Sequence, residues 1–144
     1  PSVLYFTTSD VVRQSLHRLT KQRLSEDKAM VSISSDVIRG YNDTMILYLL
    51  SKNPSYGYEI SKEIKALSEE KYVIKETTLY SAFTRMEDNG YIESYSQIAE
   101  TGKKRTYYRI TEKGKSYYKE KCEEWHLTKE VVEKFIEKEM KEDN

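Results

Sequence analysis

Cysteine, proline, glycine and net charge are all scarce here. The 144 residues hold one cysteine, Cys122, two prolines and five glycines. A lone thiol closes no disulfide within the chain, and the N-terminus carries no secretory-type apolar core, so the sequence reads as cytoplasmic. So few glycines and prolines exclude a low-complexity linker composition. Lysine plus arginine number 24 and aspartate plus glutamate 24, which excludes a chain-wide basic field; any polyanion site has to be a local patch. The longest apolar run, Met45 to Leu50, is six residues, far short of the roughly 18 that span a bilayer. Histidine is limited to His17 and His126. With no glycine-rich phosphate loop and no nucleophile in a recognisable motif, an enzyme is not expected. Cys122 and His126 are four residues apart, but no further ligand follows nearby. A buried thiol beside a rim histidine therefore outweighs a metal pair, and neither metal nor cofactor is expected.

What the chain does have is 38% apolar residues and 12% aromatics, including 13 tyrosines, enough for one folded domain with an appended element. A seam falls at residue 30, where Met30 precedes a fresh polar start at Val31. Residues 1–30 are either an extra helix of the native product or an extension ahead of a start at Met30. Within them, Ser9 and Asp10 precede Val12, Leu16, Leu19 and Leu24 in amphipathic spacing. From Ser35, the positions Val37, Ile38, Tyr41, Met45, Ile46, Tyr48, Leu49 and Leu50 predict one mostly buried helix ending near Asn53-Pro54. A turn, Ser55-Tyr56-Gly57, leads into a second helix through Tyr58, Ile60, Ile64 and Leu67. Tyr72-Val73-Ile74 predicts a brief strand or an extended linker. Leu79, Ala82, Phe83 and Met86 trace the stripe of a third helix closed by Gly90 after Asn89. That leaves Thr77, Thr78, Tyr80, Ser81, Thr84 and Arg85 on its opposite face.

Two β-prone runs follow, 91–98 and 106–110, joined by a glycine-containing loop over 99–105 that carries Lys103, Lys104 and Arg105. A period of two with Ile110 inward puts Tyr108 inward as well, and Arg105, Tyr107 and Arg109 outward. Thr111 is a good N-cap for a last helix reaching the C-terminus. On it Tyr118, Cys122, Trp125, Val132, Phe135, Ile136 and Met140 recur at near-heptad spacing.

Three helices and then a hairpin are the element order of a winged helix-turn-helix: mainly α, with a small β-hairpin, over residues 31–111, and a long C-terminal helix over 112–144. The small, hydroxyl-rich face of the third helix suits a DNA major groove. Tyr80 and Thr78 suit phosphates there, while Ser81, Thr84 and Arg85 suit base edges; Arg85 has a second reading as partner of Glu87 or Asp88. Lys103, Lys104 and Arg105 give the wing cationic reach to flanking phosphates, and Tyr58 stands at a helix start suited to a phosphate. A protein-interaction module that never touches DNA is the alternative from another class.

Three sequence signatures now converge. They are Tyr56-Gly57-Tyr58-Glu59-Ile60; Glu76-Thr77-Thr78-Leu79-Tyr80 with Phe83 and the run from Arg85 to Gly90; and Gly102 to Thr111 with Gly114. In this order and spacing the chain resembles the PadR family of bacterial transcriptional regulators, over roughly residues 35–140. The commoner family form carries glycine and proline where Thr77 and Ser81 stand here, and only thirty residues follow Gly114, so the resemblance is to the small subgroup. It implies a homodimer joined through the C-terminal helix and a palindromic operator of double-stranded DNA, with repression the expected outcome. It also implies that Trp125 lines a central cavity admitting a small planar aromatic ligand, although a plain dimer-core role is the commoner reading of such a tryptophan. A MarR-like regulator is a further alternative, disfavoured by the single terminal helix.

Overall fold

The computed structural model describes the backbone of residues 8–29 and 31–138 and the side chains of 8–20 and 31–138; Leu24 and Met140 lie outside the described side chains. The chain divides into two compact units, 1–34 and 35–144. The first holds a single 22-residue helix, α1 (Thr8–Ala29), on which Val12, Leu16 and Leu19 are exposed. The second holds α2 (Ser35–Ile38), α3 (Asn42–Lys52), β1 (Ser55–Tyr56), α4 (Gly57–Leu67), α5 (Glu76–Asp88), β2 (Ile92–Ile98), β3 (Lys104–Ile110) and α6 (Glu112–Glu133).

Helices and wing fall where the periodicity puts them, with three corrections and one choice between alternatives decided. The helix expected from Ser35 to Asn53 is two helices. A turn at Arg39-Gly40-Tyr41 separates them, with the Tyr41 amide donating to the Ile38 carbonyl at 2.9 Å, and glycine here is a poor helix former. Ser55-Tyr56 is a strand: it pairs antiparallel with β3, Ser55 opposite Tyr108 and Tyr56 opposite Tyr107, giving the sheet order β1-β3-β2. Tyr72–Ile74 pairs with no strand and is the linker, with Ile74 buried as a plug. Finally, α6 stops at Glu133. Beyond it the Phe135 amide bonds the Val132 carbonyl at 2.9 Å and the Ile136 amide the Glu133 carbonyl at 3.3 Å; these three-residue bonds tighten the chain into a terminal turn.

The core lies among α3, α4, α5 and the sheet, where Ile46, Leu47, Ile60, Leu79, Phe83, Met86 and Ile92 are sealed from solvent. Phe83 of α5 stacks on Tyr108 of β3 at 4.1 Å, tying the third helix to the wing. β2 and β3 run in register from Ile92 opposite Ile110 to Ile98 opposite Lys104. At the end of β3 the Thr111 hydroxyl caps α6, accepting from the Gly114 amide at 3.0 Å and donating to the Gly90 carbonyl at 2.6 Å. Gly114 is there because the chain passes so closely: a Cβ on it would lie 2.0 Å from the Tyr91 carbonyl oxygen. From this fixed start the first half of α6 lies along α3, with Tyr117 and Tyr118 packed against the core.

Candidate nucleic-acid interface

On α5 the split between faces is as the spacing demands. Leu79, Ala82, Phe83 and Met86 are buried, whereas Thr77, Tyr80, Ser81, Thr84 and Arg85 are exposed and Thr78 is half-buried. Thr77, Tyr80, Ser81, Thr84 and Arg85, with Asp88 and Asn89, line one shallow surface depression. The sequence grouped these side chains, and the helix brings them together.

Several are fixed in place. The Tyr80 ring stands edge-on to Phe83 at 5.7 Å, and its hydroxyl lies so near the start of α4 that a Cβ on Gly57 would approach it to 2.6 Å. Gly57 is thus the gap that lets the third helix lie against the second. The Thr84 hydroxyl donates to the Tyr80 carbonyl at 3.1 Å, a back-bond that occupies its proton. Arg85 pairs neither with Glu87 nor with Asp88. Its guanidinium bonds the carboxylate of Asp43, in the first turn of α3. That partner escaped the sequence reading, although a carboxylate within the apolar stretch from Tyr41 to Leu50 demands a cation.

The wing loop spans 99–103, closed by bonds from the Ala99 amide to the Lys103 carbonyl and from the Gly102 amide to the Ala99 carbonyl, both 2.8 Å. Lys103 in the loop is exposed, and so is Lys104, expected in the loop but placed as the first residue of β3. Arg105, expected in the loop, sits within β3 instead. It is half-buried, with its guanidinium 4.4 Å from the centre of the Tyr56 ring. The sheet's outer face continues from there as a row of rings: Tyr107 stands 5.3 Å from Tyr56 and 5.8 Å from Tyr95. Arg109 closes the row over Tyr95 and donates to Glu93 at 3.0 Å. Inward, Tyr108 is buried as the alternation requires. Tyr58, one of the apolar-spaced positions of the second helix, is 72% exposed in the first turn of α4.

The C-terminal residues sort by position. Tyr118 packs near Tyr48 at 6.5 Å, and burial, with Cys122 bonded beside it, pushes its hydroxyl pKa up to about 12. Cys122 is half-buried. Trp125, 43% exposed, stands edge-on to Tyr41 at 5.3 Å. Beyond it the apolar residues turn outward: Leu127, Val131 and Val132 on α6, and Phe135 and Ile136 in the terminal turn, are all exposed. Among the described residues no cluster of three or more histidine, cysteine, aspartate or glutamate side chains has a metal-binding arrangement, and no helix is long and apolar enough to cross a membrane.

Three packed helices, the last with an exposed hydroxyl-rich face, beside a three-stranded wing with an exposed lysine pair, define a winged helix-turn-helix protein. Residues 46–120 match the transcriptional regulator PadR-like family, and the chain belongs to that family. A transcriptional regulator from Clostridium thermocellum is 66% identical; the match covers 72% of this chain and all of that one, with a TM-score of 0.68. A PadR family transcription regulator from Clostridium difficile is 37% identical over 66% of this chain and 97% of its own, with a TM-score of 0.58. An uncharacterised protein of Lysinibacillus sphaericus shares 45% identity over 105 residues, 73% of this chain and 96% of its own length.

Proposed function

We propose that this regulator is a repressor that binds a palindromic operator as a homodimer, reading the major groove with α5 and flanking phosphates with the wing. The observation that carries this reading is the pairing of α5's exposed polar face with the exposed Lys103 and Lys104 on the neighbouring strand and loop. Tyr58, at the start of α4, is a further phosphate contact. Dimerisation is supported by the uncovered apolar residues from Leu127 to Ile136, with Phe135 83% exposed. A dimeric helix-turn-helix regulator holds its two reading helices about 34 Å apart, so a change in the angle between the C-terminal helices alters operator affinity. Trp125, half-open beside Tyr41, is the platform on which a planar aromatic compound would release the protein.

The test is a gel shift against DNA from the protein's own upstream region and from random-sequence selection, at two salt concentrations. The Lys103→Ala/Lys104→Ala/Arg105→Ala variant runs alongside. A specific complex that weakens with salt and with the variant supports the reading. No specific complex at low salt moves it to a protein-interaction module. Unchanged tryptophan fluorescence across a panel of planar aromatics removes the effector.

A further inference from the structure

Asp43 is 8% exposed in the first turn of α3, and both its oxygens are taken. Oδ1 accepts from Nη2 of Arg85 on α5, and Oδ2 accepts from the Tyr117 hydroxyl on α6 at 3.3 Å. These partners lie 42 and 74 residues further along the chain, so one carboxylate joins three helices. Tyr117 is itself fixed, its ring stacked on Tyr91 at 4.0 Å and 1°. Burial first, then the charge of Asp43 and its hydrogen bond, raise the Tyr117 pKa to about 12, so the hydroxyl keeps its proton and remains a donor.

A buried carboxylate is a poor choice if filling space is all that is needed, because apolar residues of the same volume commonly serve stability as well or better. What the pair adds is direction. The Arg85 side chain is 51% exposed and reaches the depression that Thr77, Ser81 and Thr84 also line. Arginine is the commonest reader of guanine, through a rigid fork of donors. A fork held on one side by a buried carboxylate meets the groove already ordered, which removes the entropy cost of fixing a long side chain on binding.

We infer that Asp43 is the positioning residue that holds Arg85 ready to read a base pair, with Tyr117 of α6 fixing Asp43 in turn. This rests on the DNA-binding reading above. The C-terminal helix thereby bears on sequence recognition through two hydrogen bonds.

The experiment uses the full chain and two duplexes of equal length: one enriched by the wild-type protein from a randomised pool, and one of mixed sequence. Affinities are measured by fluorescence anisotropy over a salt series. Asp43→Asn is expected to lower the ratio of selected to mixed-sequence affinity about tenfold, the size of one well-aimed arginine–base pair, with the salt slope unchanged. In the Arg85→Ala background the same change has no further effect, and Tyr117→Phe gives a smaller loss in the same ratio. A ratio unchanged in Asp43→Asn, or equal losses on both duplexes, overturns the proposal, since a purely structural role lowers the melting temperature without touching selectivity. Should Asp43→Asn not fold, Asp43→Glu decides: it keeps a carboxylate but displaces the bond to Arg85, and an unchanged ratio overturns the proposal. A wild-type protein that enriches no sequence overturns the DNA-binding reading itself, and this inference with it.

Discussion

On α5 the exposed side chains are anchored: Tyr80 against Phe83 and Gly57, Thr84 to its own helix, Arg85 to Asp43. Around the wing loop, Lys103 and Lys104 stand exposed, and only Arg105, drawn back over Tyr56, is held. Under the DNA-binding proposal, the contrast divides two tasks. Reading a base edge needs donors within a few tenths of an ångström of their place, whereas attraction to a phosphate needs charge within reach and tolerates a mobile stem. A protein with no net charge can therefore separate specificity from affinity by giving one element order and the other cations.

The most severe way to break that contrast is to remove what joins the two regions. Phe83, 1% exposed, stacks on Tyr108 of the wing and braces Tyr80 of the helix. Phe83→Ala should cost about 3–5 kcal/mol of folding stability, read as a shift of the urea midpoint. A loss below about 1 kcal/mol would mean that helix and wing are held together by something other than this stack. Milder substitutions sharpen the contrast instead. Lys103→Ala with Lys104→Ala should flatten the log–log salt dependence of DNA affinity by nearly two units, about 0.9 per phosphate contact, and leave sequence preference intact. Ser81→Ala should do the reverse, shifting preference at one base position with the slope unchanged. If both variants alter slope and preference together, the division of labour fails.

Much of this arrangement was legible because it is local. The stripe from Leu79 to Met86, the cap at Thr111, the hairpin and its inward Tyr108 all follow from periods of 3.6 and 2 and from side chains acting within a few residues. What the sequence concealed depends on partners far along the chain. A two-residue strand such as β1 has no period, and it exists only because β3 offers it hydrogen bonds. Arg105 looks like a loop cation until Tyr56 is seen beneath it. Gly57 carries a motif's signature without its reason, which is the Tyr80 hydroxyl on another helix. Asp43 alone gave a warning, as a carboxylate inside an apolar helix, but its spacing could not say which of the chain's cations would answer it.

The smallest expected effect lies on the packed side of the same helices. Tyr117 and Tyr118 are both raised from the ordinary tyrosine value of 10.0 to about 12, chiefly by burial; the charge of Asp43 adds to the first, and Arg85 opposes it. The fold thus prefers the protonated hydroxyls. Their contribution is complete below pH 10, because folded and unfolded chains then carry the same protons. It is lost progressively between pH 10 and about 12, where only the unfolded chain has released them. Stability measured by urea denaturation should therefore be flat with respect to these groups up to pH 10 and then fall. Tyr117→Phe, which keeps a ring to stack on Tyr91, should make the fall shallower while leaving that of Tyr118. A variant curve that falls as steeply as the wild type would show that the Tyr117 hydroxyl is not held against Asp43, and that the anchoring of Arg85 ends at α3.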